Sequence, residues 1–167
     1  MGLTGGSGTF QKFLNSFDYK IKRYNHRPML HPVIILIDND TAVTEIKGTL
    51  KKRFNVEIEL TSQELFYHLK HNLYIIKTPE RGGEGRSCIE DCFDDATKAI
   101  KLEGKSFNPA KDLNPETEYG KGPFAEKVVV PHAGDITWDG FRPLLDRISA
   151  VIANYLPPAA TAVAAAA

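Results

Sequence analysis

The stretch HPVIILIDNDTAVTEIKGTL, residues 31–50, decides how the chain is read. Pro32 to Ile37 are apolar without a break, and the run meets Asp38-Asn39-Asp40 directly. An apolar run with no alternation is the pattern of a strand buried on both faces, and such strands belong to parallel sheets covered by helices. Beyond the acidic turn, Val43, Ile46, Leu50 and Phe54 recur at spacings of three and four, which gives an amphipathic helix. Strand, acidic turn and helix form a βα unit. The expectation is an α/β fold: a small parallel, or mixed, sheet flanked by helices.

Upstream, Phe10, Phe13, Leu14 and Phe17 share one helical face, predicting a helix from Thr9 to about Ile21. Downstream, VEIEL at 56–60 alternates apolar and acidic residues, as a half-exposed edge strand does. The segment LFYHLKHNLYIIKTP reads either as a helix followed by a strand or as two strands turning at His71-Asn72, with the hairpin preferred and Leu73 to Lys77 its firmer half. A glycine-rich loop, ERGGEGR, leads to a short helix near Ser87. The chain is then polar, with two Asn-Pro steps, to about residue 119, which predicts a long irregular excursion. A helix follows Lys121. The last helix carries Phe141, Leu144, Leu145, Ile148, Val151, Ile152 and Tyr155 as one stripe, with Asp139 as its cap. Residues 1–156 read as a single domain, and 157–167 as a low-complexity tail or an expression remnant.

Hydrophobic residues make up 42% of the 167, and Lys plus Arg balance Asp plus Glu at 21 each. The composition is that of a globular protein, and the balanced charge gives no whole-chain field to hold a polyanion, so any nucleic-acid contact must be local. No apolar run approaches the roughly 20 residues that cross a bilayer, so a cytoplasmic protein with no membrane partner is expected. Cys88 and Cys92 fit neither a Cys-x-x-Cys metal pattern nor an easy disulfide, and read as reduced packing residues. His68 and His71 have no nearby ligands in sequence and read as surface or turn residues.

The chemistry concentrates at strand ends. Ligands of open α/β sheets bind outside the carboxyl ends of the strands, where Asp38 and Asp40 lie. Two carboxylates one residue apart suit a hard cation such as Mg2+, with Mn2+ as a substitute. The competing explanation is a turn in which Asp40 or Thr41 caps the following helix. The strand-end position favours the metal. In SCIEDCFDD, Ser87 and Glu90 have the spacing of a capping box, Asp91 is left to reach a cation, and Asp94 and Asp95 fall on a solvated face. Lys121, between two glycines and before a helix, suits a residue that stabilises a phosphoryl group, although an exposed loop lysine explains the spacing as well and the P-loop pattern is not met. Arg81 and Arg86 flank glycines in a loop that either meets a nucleic-acid phosphate or is simply a soluble connection.

Taken in order, PVIILIDND, NLYIIKTP, SCIED, GKGPFAEKVV and FRPLLDRI resemble the Toprim-like C-terminal domain of retron-type bacterial reverse transcriptases. The resemblance spans about residues 3–155 and implies a Toprim/Rossmann-like sheet. It implies Asp38 and Asp40 as the Asp-x-Asp metal ligands, Asp91 and less directly Glu90 as the later acidic ligand, and Lys121 as the catalytic lysine. LTGGSGTFQKFL is similar to the glycine turn and helix that follow a Glu-bearing first strand. That glutamate has no counterpart here, since the first Glu is Glu45. The expectation is therefore a domain lacking its first strand, which binds Mg2+ weakly and cleaves little or nothing alone.

The function so implied is divalent-metal-dependent phosphoryl transfer, of the nuclease type, on DNA or RNA, with the polymerase portion of the same polypeptide as partner. Two other functions fit the same residues: a non-catalytic docking module whose acidic turn is a helix cap, and a phospho-acceptor signalling domain. The latter requires an acidic pair at the end of a first strand, where residues 1–31 offer only Asp18.

Overall fold

The computed structural model describes residues 7–23, 29–81 and 85–155, and its contacts divide the chain into two compact units, Met1–Ser87 with Leu144–Ala167, and Cys88–Pro143. The elements are mixed α and β, as the sequence predicts.

In the first unit, helix α1 (Ser7–Lys22) precedes strand β1 (Val33–Ile37), helix α2 (Thr41–Phe54), and the hairpin of β2 (Tyr67–Lys70) and β3 (Leu73–Lys77). The sheet has the order β1-β3-β2, with β1 parallel and β2 antiparallel to β3, so it is mixed. The turn at His71-Asn72 is the one expected. His71 takes the left-handed conformation, φ 55°, and Asn72 Nδ2 donates to the His31 carbonyl at 2.8 Å, tying the turn to the start of β1.

β3, rather than β1, is the strand buried at every position. Because β1 stands at the end of the strand order, only Ile35 and Ile37 are fully buried, and Val33, Ile34 and Leu36 are half-buried. One face of the sheet packs Ile35, Ile37, Leu73 and Ile75 against Leu14 and Phe17 of α1 and Val43, Ile46 and Leu50 of α2. Burial of a side chain of this size stabilises by about 1.5–3 kcal/mol, so this cluster is the main source of the unit's cohesion. Helix α5 (Arg142–Asn154) brings Val151, Asn154 and the following Tyr155 to the unit, with Tyr155 edge-on to Tyr74 at 6.3 Å. The predicted stripe of α5 is only partly used. Leu144 and Val151 are buried, whereas Leu145 and Ile152 are 56% and 58% exposed, and Arg147 takes a buried place among them.

Residues 56–60 do not form the expected strand. Ile58 is buried in the core, but Glu57 and Glu59 pair with Lys51 and Lys47 of α2, and the carbonyls of Glu59 and Leu60 accept from Lys77 Nζ at 2.7 and 2.8 Å. Backbone groups met by a side-chain ammonium need no neighbouring strand.

In the second unit, a 3-10 turn (Ile89–Cys92) is followed by α3 (Asp95–Lys98), the two-residue parallel strands β4 (Ser106–Phe107) and β5 (Glu118–Tyr119), and the helical turn α4 (Lys121–Pro123). α4 runs on into a π-helical turn (Phe124–Val129). The long irregular excursion and the helix after Lys121 are as expected. The core is aromatic: Phe107 stacks on Phe124 at 4.1 Å, and Phe93 meets Phe124 and Phe141 edge-on at 5.2 and 4.9 Å. Gly140 admits this packing, because a Cβ there would collide with the Cys92 carbonyl. Asp139 does not cap α5 as expected; it opens a 3-10 turn (Asp139–Phe141) and lies 3.6 Å from Arg142. Asp94 is no bystander on a solvated face either, since its Oδ1 accepts from Thr97 N at 2.7 Å and caps α3, while Asp95 is exposed.

Candidate functional site

The carboxyl end of β1 is fastened by Asn39. This side chain is fully buried; its backbone N–H donates to Thr78 Oγ1 at 2.9 Å and its carbonyl accepts from Ser87 N at 3.0 Å. Its Nδ2 donates to the Leu60 carbonyl at 2.9 Å and to the Gly85 carbonyl. Gly85 has φ +72°, and a Cβ there would lie 3.0 Å from the Leu60 oxygen, so glycine permits the close approach. Thr78 completes the clasp, its Oγ1 donating to the Ser87 carbonyl at 3.0 Å and lying 2.7 Å from Ser87 Oγ.

Asp38 and Asp40 flank the buried Asn39 just beyond the end of β1. Both are half-buried. Asp40 also caps α2, its Oδ1 accepting from Ala42 N at 2.7 Å, so the two explanations of this aspartate are compatible and its Oδ2 remains for a second partner. Two carboxylates one residue apart are hard-oxygen ligands of the kind a Mg2+ ion takes while keeping waters.

Next to the clasp lies a charged cluster that the sequence did not announce. Lys77, fully buried at the end of β3, meets Glu80 Oε1 at 2.7 Å, and Arg147 Nη2 meets Glu80 Oε2 at 2.7 Å. Arg147 Nη1 also donates to the Lys77 and Thr78 carbonyls at 2.7 and 3.3 Å. Burial pushes the Lys77 pKa down against the pull of Glu80. For Glu80, burial acts upward but hydrogen bonds from Lys77 and Arg147 outweigh it, holding the carboxyl below its ordinary range.

In the second unit the capping box is displaced by one residue. Cys88 and Asp91, not Ser87 and Glu90, form it, with Asp91 Oδ2 accepting from Cys88 N at 2.7 Å. The thiol of Cys88 stands in for the expected hydroxyl, and burial first, then its acidic neighbours Glu90 and Asp91, push its pKa up to about 12. Cys88 and Cys92 are both free thiols, as expected. Glu90 is buried and lies 2.7 Å from Lys121 Nζ, so the two side chains assigned to metal and phosphate form an ion pair with each other. Within either unit, no three of the described His, Cys, Asp and Glu side chains are grouped as a metal site. Arg81 and Arg86 are exposed, and residues 82–84 of the expected glycine-rich loop lie outside the described residues.

No family model and no solved structure matches this chain. Among the described residues, no helix is long and apolar enough to cross a membrane.

The residues missed at sequence level are Asn39 and Thr78 of the clasp and Lys77, Glu80 and Arg147 of the charged cluster, while Ser87, read as a helix cap, belongs to the clasp. The one signal for them is placement: an Asn between two Asp at a strand end, and a Thr before Pro at the end of the next strand.

Proposed function

We propose that the chain is a divalent-metal-assisted phosphoryl-transfer module acting on nucleic acid, of the Toprim-like kind carried by bacterial reverse transcriptases. The observation that supports this reading is that Asp38 and Asp40, both half-buried, flank Asn39 at the carboxyl end of β1, where Asn39 is anchored to Leu60, Thr78 and Gly85. Asp38 and Asp40 Oδ2 would hold Mg2+ or Mn2+. Such an ion supplies charge neutralisation at a phosphate and lowers the pKa of a bound water. The chain's own contribution would be to hold the two carboxylates at the anchored end of β1, which spares the site reorganisation when a phosphate arrives. Lys121, paired with Glu90, is proposed as a charge-stabilising group for a phosphate, and Arg81 and Arg86 as weak phosphate contacts. The polymerase portion is the proposed partner and the cytoplasm the proposed location.

The docking-module reading is favoured by one observation, the Asp40 cap on α2, which explains that carboxylate without a metal. Mn2+ binding measured by electron paramagnetic resonance separates the two. The phosphoryl-transfer reading predicts one saturable ion per chain, lost in Asp38→Asn, with Mg2+- or Mn2+-dependent cleavage of single-stranded DNA, duplex DNA or RNA weak at most and also lost in that variant. Absence of Mn2+ binding leaves the docking module.

A further inference from the structure

We infer that Asn39, held by Thr78, is the positioning residue for the Asp38/Asp40 pair, an inference that rests on the metal-binding reading above. Four contacts converge on this one residue: from its side chain to the Leu60 and Gly85 carbonyls, and from its backbone to Thr78 Oγ1 and Ser87 N. The partners come from three separate segments, so the acidic turn is pinned to the 60, 78 and 85–87 regions at once. Lys77 Nζ shares the Leu60 carbonyl at 2.8 Å, which fixes that acceptor in turn.

The Oδ1 of Asn39 is buried and meets no donor among the described residues. A buried acceptor without a partner costs free energy, and an apolar side chain of similar size would remove that cost while leaving the Gly85 carbonyl without its donor. What only an amide provides at this place is a two-pronged donor. Nδ2 faces two carbonyls and makes both bonds, whereas aspartate would set a carboxylate against them and leucine would make neither. Groups behind a ligand set that fix its orientation commonly influence metal affinity about 10- to 100-fold when removed.

The test uses Thr78→Val, which keeps the shape of the side chain and removes its hydroxyl, Thr78→Ser, which restores the hydroxyl, and Asn39→Ala. Each variant is first shown to unfold cooperatively. Expected is a loss of Mn2+ affinity of about tenfold or more in Thr78→Val and Asn39→Ala, with Thr78→Ser within about twofold of the parent chain. Amide hydrogen exchange at Asp38 and Asp40 is expected to speed up at least tenfold in Thr78→Val and Asn39→Ala, with exchange at Ile75 unchanged. Folded variants with unaltered exchange at Asp38 and Asp40 overturn the inference, as does unaltered Mn2+ affinity. A parent chain that binds no Mn2+ sinks the metal reading instead, and the exchange rates alone then decide the positioning role.

Discussion

Lys77 Nζ lies 2.7 Å from Glu80 Oε1 at a position where the lysine side chain has no exposed surface, and Arg147 closes the cluster from α5. Removing one member of a buried ion cluster leaves the others uncompensated and costs about 3–5 kcal/mol, so Glu80→Ala is expected to lower the urea midpoint sharply. The pH dependence follows from the direction of the Glu80 shift. Its folded-state pKa lies below its ordinary value of 4.5, so its contribution is complete above that value and lost as the pH falls through the folded one. Urea midpoints should therefore decline below about pH 4.5, and Glu80→Gln should flatten that decline.

Asp40 performs two tasks that substitution can separate. Asparagine caps helices as well as aspartate does, whereas alanine loses about 1 kcal/mol. Asp40→Asn is expected to leave the thermal midpoint within about 1 °C of the parent and weaken Mn2+ binding, and Asp40→Ala to lower both. If Asp40→Asn binds Mn2+ like the parent, the cap is the whole role of Asp40.

Gly140 faces the carbonyl of Cys92 at a distance that leaves no room for a methyl group. Overpacking of this kind typically costs about 1–3 kcal/mol. Gly140→Ala is expected to lower stability by that amount and to perturb the NMR signals of Phe93 and Phe141, which touch each other at 4.9 Å. A variant as stable as the parent would show that the 3-10 turn at Asp139 moves aside freely.

The βα unit and the β2–β3 hairpin were legible because periodicity reports which side of an element meets a core, and Val43, Ile46, Leu50 and β3 keep that pattern in the fold. Residues 56–60 were not. Their alternation records Ile58 facing inward and two glutamates facing the lysines of α2, and nothing local says that the partner of the Glu59 and Leu60 carbonyls is Lys77 rather than a strand. Lys77 and Arg147 escaped for the related reason that a long cation is ordinarily exposed, and only tertiary structure supplies the carboxylate and carbonyls that make burial tolerable. At the site, Asp38 and Asp40 were visible as residues at a strand end. The clasp ties Asn39 to residues 21, 39 and 46 positions away, which no local pattern encodes. The capping box moved from Ser87 to Cys88 because Ser87 is engaged by Thr78, leaving the thiol to begin the turn.

The most direct measurement is an NMR titration with Mg2+ that follows the side-chain carboxyl carbons of Asp38 and Asp40. Both signals are predicted to shift together along one saturable curve, and the response of Asp40 to disappear in Asp38→Asn. Carboxyl signals that stay in place up to millimolar Mg2+, in a chain whose other signals confirm the folded sheet, would contradict metal binding at the end of β1 and leave an acidic turn that only caps a helix.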